Sequence, residues 1–203
     1  MKIFVSSLIV VLLSFSCKKN IDYTIKGQIT DSSLGGNLSG ATVELYSYSK
    51  GSVTGELMQT TQTDSQGNYS FTFDRDRYDK LEVKIVKANY FTDSKTVLFS
   101  ELSNKEDYII DLNIYARSWV RLHFTSNGTT DIKYIRQEGK KDCEECCTTQ
   151  EVYLYDNVDT SIYCINNGNS TYQIYYNILT TSLQGPLSVV TVTFDTTELL
   201  INY

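Results

Sequence analysis

Thr60-Thr-Gln-Thr-Asp64-Ser-Gln-Gly67-Asn-Tyr69-Ser-Phe71-Thr-Phe73 is the stretch on which the fold turns. Tyr69, Phe71 and Phe73 recur at every second position. Successive side chains of an extended chain point to opposite sides, so these three rings share one face of a strand. Asp64 supplies a local side-chain acceptor and Gly67 a residue free to take positive φ, which is the chemistry of a tight turn. The stretch therefore reads as a β-hairpin whose outgoing arm needs a core to cover its aromatic face.

The same alternation extends in both directions. Tyr23, Ile25, Gly27 and Ile29 share one face, with Asp22, Thr24, Lys26 and Gln28 on the other. Ala41, Val43 and Leu45 follow a Gly/Ser-rich loop over residues 31–40. Further strands are expected over residues 81–88, 90–99 and 108–115, with charged or polar turns between them. Seven short strands in succession suit an antiparallel sandwich and no helical arrangement. The composition agrees: 16 Tyr and one Pro in 203 residues, with abundant Thr, favour strands.

Three ordered blocks in this half carry a family resemblance. They are Ile25-Lys26-Gly27-Gln28-Ile29-Thr30-Asp31, then Leu38-Ser39-Gly40-Ala41-Thr42-Val43-Glu44-Leu45, then Thr61 to Phe71. Together they resemble the carboxypeptidase regulatory-like domain over residues 22–115, although the family's frequent Pro is missing from the Leu34–Gly40 loop. The resemblance implies a noncatalytic, transthyretin-like sandwich of the kind found in envelope lipoproteins of the Bacteroidota type. It also implies structural roles for the motif residues: close backbone approach at Gly27 and Gly40, a turn at Asp64 and Gly67, core filling by Tyr69 and Phe71.

Residues 116–203 resemble no family and read by pattern alone as a second, Ig-like sandwich. Strands are expected at 119–126, 131–137, 151–156, 161–165, 171–180 and 187–195, with a last edge strand at 199–203. Asn127-Gly128 and Asn167-Gly168-Asn169 read as hairpin turns. Pro186 is expected at the start of a strand, where a missing donor is harmless.

The N-terminus reads as a targeting segment. Lys2 precedes an apolar run from Ile3 to Leu13, shorter than the about 20 residues a spanning helix needs. Ser14-Phe15-Ser16-Cys17 resembles a bacterial lipobox, with Ser14 at the position where Leu is commonest. This predicts a signal peptide over 1–16, lipidation of Cys17, a short tether over 17–21, and an outer-membrane lipoprotein facing the periplasm or the cell surface. The chain carries 18 basic against 24 acidic residues and no basic cluster, which argues against nucleic-acid binding.

Residues with chemistry are few. In an oxidising compartment Cys143, Cys146, Cys147 and Cys164 are expected to form two disulfides. Cys146 and Cys147 are too close in sequence to pair without strain, so Cys164 should reach back to the loop and Cys143 take one of the other two. The alternatives are a thiolate metal site, for which Cys143 and Cys146 have the right bite, and free thiols. His123, the single histidine, shares a face with Trp119 and Arg121 and reads as a solvent-facing strand residue. No Gly-x-Ser-x-Gly elbow accompanies it, and Asp64 to Asn68 lacks the distal Glu of a calcium loop.

Tyr46, Tyr48, Tyr153, Tyr155, Tyr163 and Tyr175 fall on the faces opposite the aliphatic ones. The first, second, third and fourth of these are the candidate ligand contacts, because exposed rings can stack on sugars or cover a partner. The sequence thus predicts a non-enzymatic, lipid-anchored envelope protein that binds or scaffolds, without cofactor or metal. The competing readings are a glycan- or nutrient-capture lipoprotein accessory to an outer-membrane transporter, with a protein or glycan partner, and an enzyme with an unrecognised site.

Overall fold

The computed structural model describes residues 21–203 except Thr129, Glu144, Asn157 and Ser182. The signal peptide and Cys17 lie outside the described residues. Within them the chain is all-β, two tandem sandwiches with a single 3-10 turn at Phe99–Glu101. The first holds β1 (Asp22–Asp31), β2 (Thr42–Ser49), β3 (Glu56–Gln62), β4 (Asn68–Asp74), β5 (Tyr78–Val86), β6 (Asp93–Leu98), β7 (Tyr108–Ile109) and β8 (Leu112–Ile114). The second holds β9 (Arg117–Thr125), β10 (Ile132–Glu138), β11 (Val152–Leu154), β12 (Asp159–Asn167), β13 (Thr171–Ile178), β14 (Gln184–Val190) and β15 (Thr196–Asn202).

In the first sandwich one sheet runs β4-β1-β7, with β8 also on β1, and faces a second running β3-β2-β5-β6. In the second sandwich the sheets run β12-β9-β15 and β11-β10-β13-β14. Matching β1 to β9 and counting onward, with β7 and β8 taken together, superimposes the two strand orders completely. The chain is a structural repeat. All ladders are antiparallel except the last of each repeat, where β7 and β8 run parallel to β1 and β15 runs parallel to β9.

Thr60 to Phe73 is not a hairpin. β3 is hydrogen-bonded to β2 and β4 to β1, so the turn carries the chain from one sheet to the other. Its residues hold that crossing in place. The Asp64 carboxylate accepts from the Gln66 and Asn68 amides at 2.8 Å, and Thr63 Oγ1 accepts from the Ala41 amide while donating to the Leu38 carbonyl. Gly67 lies at φ 75°, and a side chain there would collide with the Ile29 carbonyl, whose own amide donates to Gly67 O. The Asn127-Gly128 and Asn167-Gly168-Asn169 turns also cross between sheets, β9 to β10 and β12 to β13. The true hairpins are β2–β3, β5–β6, β10–β11 and β13–β14. A tight turn reverses direction; which strands then pair depends on contacts it does not encode.

Smaller expectations shift too: the strand placed at 187–195 is β14, Gln184–Val190. The strand placed at 90–99 begins at Asp93, because Tyr90 leaves the sheet to bridge Ala116. Pro186 lies within β14, opposite Tyr175, and is tolerated there because β14 is an edge strand.

The cores follow from the alternation. Ile25, Ile29, Val43, Leu45, Phe71, Leu81, Val83 and Ile85 fill the first, with Tyr23 stacked on Phe73 and tilted against Phe99. Val120, Leu122, Phe124, Ile132, Tyr172, Ile174 and Ile201 fill the second. Only Tyr115 and Ala116 separate the repeats, and the join is tightly bonded. Arg117 N donates to Asn89 O at 2.7 Å, Gly168 N to Ala116 O at 2.8 Å, and Asn169 Nδ2 to Ser33 O at 2.8 Å. Tyr90 packs its ring on Phe194 and donates its hydroxyl to Asp31 at 2.6 Å.

Candidate functional site

The candidate tyrosines occupy equivalent places in the two repeats. Tyr46 and Tyr48 lie on the outer face of the β3-β2-β5-β6 sheet, and Tyr153 and Tyr175 on the outer face of the β11-β10-β13-β14 sheet. Each face is put outward by the same rule: alternate residues of β2 (Val43, Leu45) and of β13 (Tyr172, Ile174) are buried, so their neighbours face water.

On the first face the tyrosines are engaged by their own neighbours. Tyr46 donates to Glu44 at 3.0 Å and Tyr48 to Glu82. Lys80 Nζ sits 4.4 Å from the Tyr48 ring centre and Lys84 Nζ 5.9 Å from that of Tyr46. Gly55 lies against the Tyr48 ring so closely that a Cβ would approach it to 2.6 Å. Bonding to the carboxylates raises both phenols above their ordinary pKa, while Ser94 and Tyr48 together hold Glu82 below the usual carboxylate range. The groove here, about 390 Å³, is lined by the Tyr46 and Tyr48 rings and Gly55 together with polar Glu82, Lys84, Thr92, Asp93 and Ser94.

The second face is different. Reading across β11, β10, β13 and β14, one row is Tyr153, Lys133, Asn177 and Gln184. The adjacent row is Ile135, Tyr175 and Pro186, an apolar strip. Tyr155, 60% exposed, lies beyond Tyr153, 41% exposed, their rings parallel within 12° and centred 6.1 Å apart. Glu151 binds Lys133 at 3.0 Å and accepts from Tyr153 at 2.9 Å. Lys133 in turn depresses the Glu151 carboxyl, and Glu151 raises Lys133. A cavity of about 170 Å³ opens between Lys133, Ile135, Glu151, Tyr175, Asn177 and Gln184. Lys133, Asn177 and Gln184 were not singled out from sequence. Their alternation with Ile132, Tyr134 and Ile178 was the available signal, but polar outward residues are too common to stand out.

Tyr163 is 61% exposed on β12, on the other sheet of this repeat, away from both faces. His123, expected to face solvent freely, is instead fastened. Its Nε2 is 2.9 Å from Asp159 on β12 and its Nδ1 3.3 Å from Glu198 on β15, with Arg121 also on Glu198. The two carboxylates, Asp159 first, raise the imidazole pKa above 6.5. The arrangement ties three strands together, and both ring nitrogens are taken up in doing so.

Cys147 is bonded to the buried Cys164 and Cys143 to Cys146. The first bridge fastens the 139–151 loop to β12, across the edge between the two sheets. The second closes a turn within the loop, where Cys146 N also donates to Cys143 O at 3.1 Å. Among the described residues no cluster of three or more His, Cys, Asp or Glu could hold a metal ion.

No protein-family model matches the sequence, and no curated protein matches it. Solved structures similar to it include a streptococcal ancillary pilin, 16% identical over 91% of this chain and 63% of that one, with a TM-score of 0.38. The TIE protein of Bacillus anthracis is 14% identical over 90% of this chain and 34% of that one, at 0.41. The minor pilin of Streptococcus agalactiae is 14% identical over 89% and 94%, at 0.38. The chain thus spans less than two thirds of the length of the first two, and at these TM-scores the likenesses carry no argument about function.

Proposed function

We propose that the protein is a lipid-anchored, non-enzymatic component of the cell envelope that works as a binding or scaffold module. The observation that carries this reading is the tandem repeat itself. Two sandwiches of one strand order are joined by two residues and by bonds across the junction, and each turns an outer sheet face to solvent. The one histidine, His123, is engaged in structure by Asp159 and Glu198. The first repeat is a carboxypeptidase regulatory-like domain on this reading, supported by the placement of Gly27, Asp64, Gly67, Tyr69 and Phe71 at close approach, turn and core. Anchoring at Cys17 is tested by labelling growing cells with palmitate. The native chain should take up label and sediment with outer membranes, and Cys17→Ser should do neither. Label retained in Cys17→Ser removes the anchor from the proposal.

A second reading, glycan or nutrient capture beside an outer-membrane transporter, is favoured by one feature. Tyr153 and Tyr155 are exposed as a parallel pair next to a small cavity with amide and charged walls.

A further inference from the structure

We infer that the outer face of the β11-β10-β13-β14 sheet is a binding site for a neutral oligosaccharide, laid across the strands along Ile135, Tyr175 and Pro186. The inference deepens the glycan-capture reading and rests on it. Its first support is the pattern of the face. The Ile135–Tyr175–Pro186 strip offers apolar and aromatic surface to the C–H faces of sugar rings. Strands about 4.8 Å apart repeat this surface at close to the spacing of a pyranose chain.

Its second support is the hydrogen-bonding capacity on both flanks. Asn177 Nδ2 donates to Gln184 Oε1 at 3.0 Å on one side, and Gln173 Nε2 donates to Gln137 Oε1 at 2.7 Å on the other. One bond within each pair leaves amide donors and acceptors over for hydroxyl groups, which are both donor and acceptor themselves. The third support is charge. Lys133 and Glu151 neutralise each other at 3.0 Å, so the face complements an uncharged ligand.

The equivalent face of the first repeat lacks this combination. Lys80 and Gly55 cover the Tyr48 ring, Lys84 approaches Tyr46, and both hydroxyls are engaged by carboxylates. The repeat therefore presents one surface twice, with an apolar strip flanked by amides in the second copy and tyrosines bound by their own lysine and carboxylate neighbours in the first.

Native affinity electrophoresis of the full chain through gels containing a starch-type α-glucan, a neutral arabinoxylan or a mixed-linkage β-glucan tests the inference, with polygalacturonate as the charged control. At least one neutral polymer should retard the protein. Tyr175→Ala should weaken that retardation about tenfold, as loss of a central aromatic contact does. The double substitution of the surface amides, Asn177→Ala with Gln184→Ala, should weaken it without disturbing Trp119 fluorescence. Tyr46→Ala with Tyr48→Ala should leave it unchanged. Retardation that survives both second-repeat variants overturns the inference, and if it is then lost in the Tyr46/Tyr48 variant, glycan capture stands with its site on the first repeat. Retardation by none of the neutral polymers, or only by polygalacturonate, overturns the inference and the glycan-capture reading together, leaving the anchored scaffold.

Discussion

The two repeats reach one strand order by different means. The first is held by an Asp64 turn, by the close approach of Gly27 to Ile110, and by aromatic contacts of Tyr23 with Phe73 and Phe99 and of Tyr69 with Phe71. The second is held by covalent and polar ties: Cys147 to Cys164, His123 between Asp159 and Glu198, and buried Asn166 bonding to Lys140 N while Ser118 donates to its carbonyl. The difference begins at the last strand. β15 runs unbroken along β9, whereas the corresponding strand in the first repeat is interrupted at Ile110 and Asp111. Ile110 there turns its carbonyl toward β1 and accepts from Tyr69 at 2.8 Å, and Gly27 is the residue that makes room. One topology thus tolerates either a broken closing strand with a glycine beside it or a continuous one with none.

The sharpest way to break this contrast is Gly27→Val. The new Cβ would fall 1.8 Å from the Ile110 carbonyl oxygen, backbone that cannot move aside without parting β1 from the closing strand. A loss of about 3 kcal/mol or more is expected in the first repeat. Urea unfolding followed by tyrosine circular dichroism should show it, while Trp119, the single tryptophan and part of β9, reports the second repeat separately. Coincident, equally shifted transitions from both probes would mean that the bonded junction makes one cooperative unit, and the contrast would then apply to architecture alone.

Next in size is Cys164→Ser, which frees the 139–151 loop. Loop-closure entropy for the span from Cys147 to Cys164 gives a loss of about 3 kcal/mol, expected in the Trp119 transition. Cys143→Ser with Cys146→Ser should lose less, about 2 kcal/mol, because the closed loop is far shorter. Cys143, Cys146 and Cys147 are half-buried, whereas Cys164 is fully buried, so only the short bridge has both sulfurs within reach of solvent. Graded reduction with trapping by iodoacetamide should therefore modify Cys143 and Cys146 first. Earlier modification of Cys164 would contradict the assignment of the longer bridge as the structural one.

The smallest effects have opposite signs with pH. Backbone bonds from Asn68 and Gln66 lower the Asp64 pKa below 3.8, so its contribution to the first repeat is present above that value and lost as pH falls through the folded-state value. Asp159 and Glu198 raise His123 above 6.5, so its contribution to the second repeat is complete below 6.5 and lost as pH rises through the folded-state value. Asp64→Ala should flatten the acid limb seen by circular dichroism, and His123→Gln should flatten the Trp119 stability profile above pH 6.5. A His123→Gln profile that keeps the native slope would remove the imidazole from the tie.

Much of the architecture was legible because alternation is local. The faces of Tyr69, Phe71 and Phe73, of Ile25 and Ile29, and of Val120, Leu122 and Phe124 follow from a period of two, and the structure buries all of them. The cysteine chemistry was legible as far as composition and spacing could take it: neighbours do not pair, so Cys164 had to reach the loop. Partners of the candidate site were harder to see. Glu82 comes to Tyr48 across 34 positions, and Glu198 comes to His123 across 75. Nothing in the stretch around either ring announces its carboxylate.

The amino-acid sequence by itself determined that the chain is all-β, where it bends and which side chains turn inward, because these depend on φ preference and on the two-residue period. Only the tertiary structure decided which strands pair. Thr60 to Phe73 bends where Asp64 and Gly67 say it must, yet its arms join different sheets, since β1 and β2 compete for them with longer ladders and a buried face. The repeat was hidden for the same reason: strand order is a property of long-range pairing, and two unlike sequences can satisfy it equally.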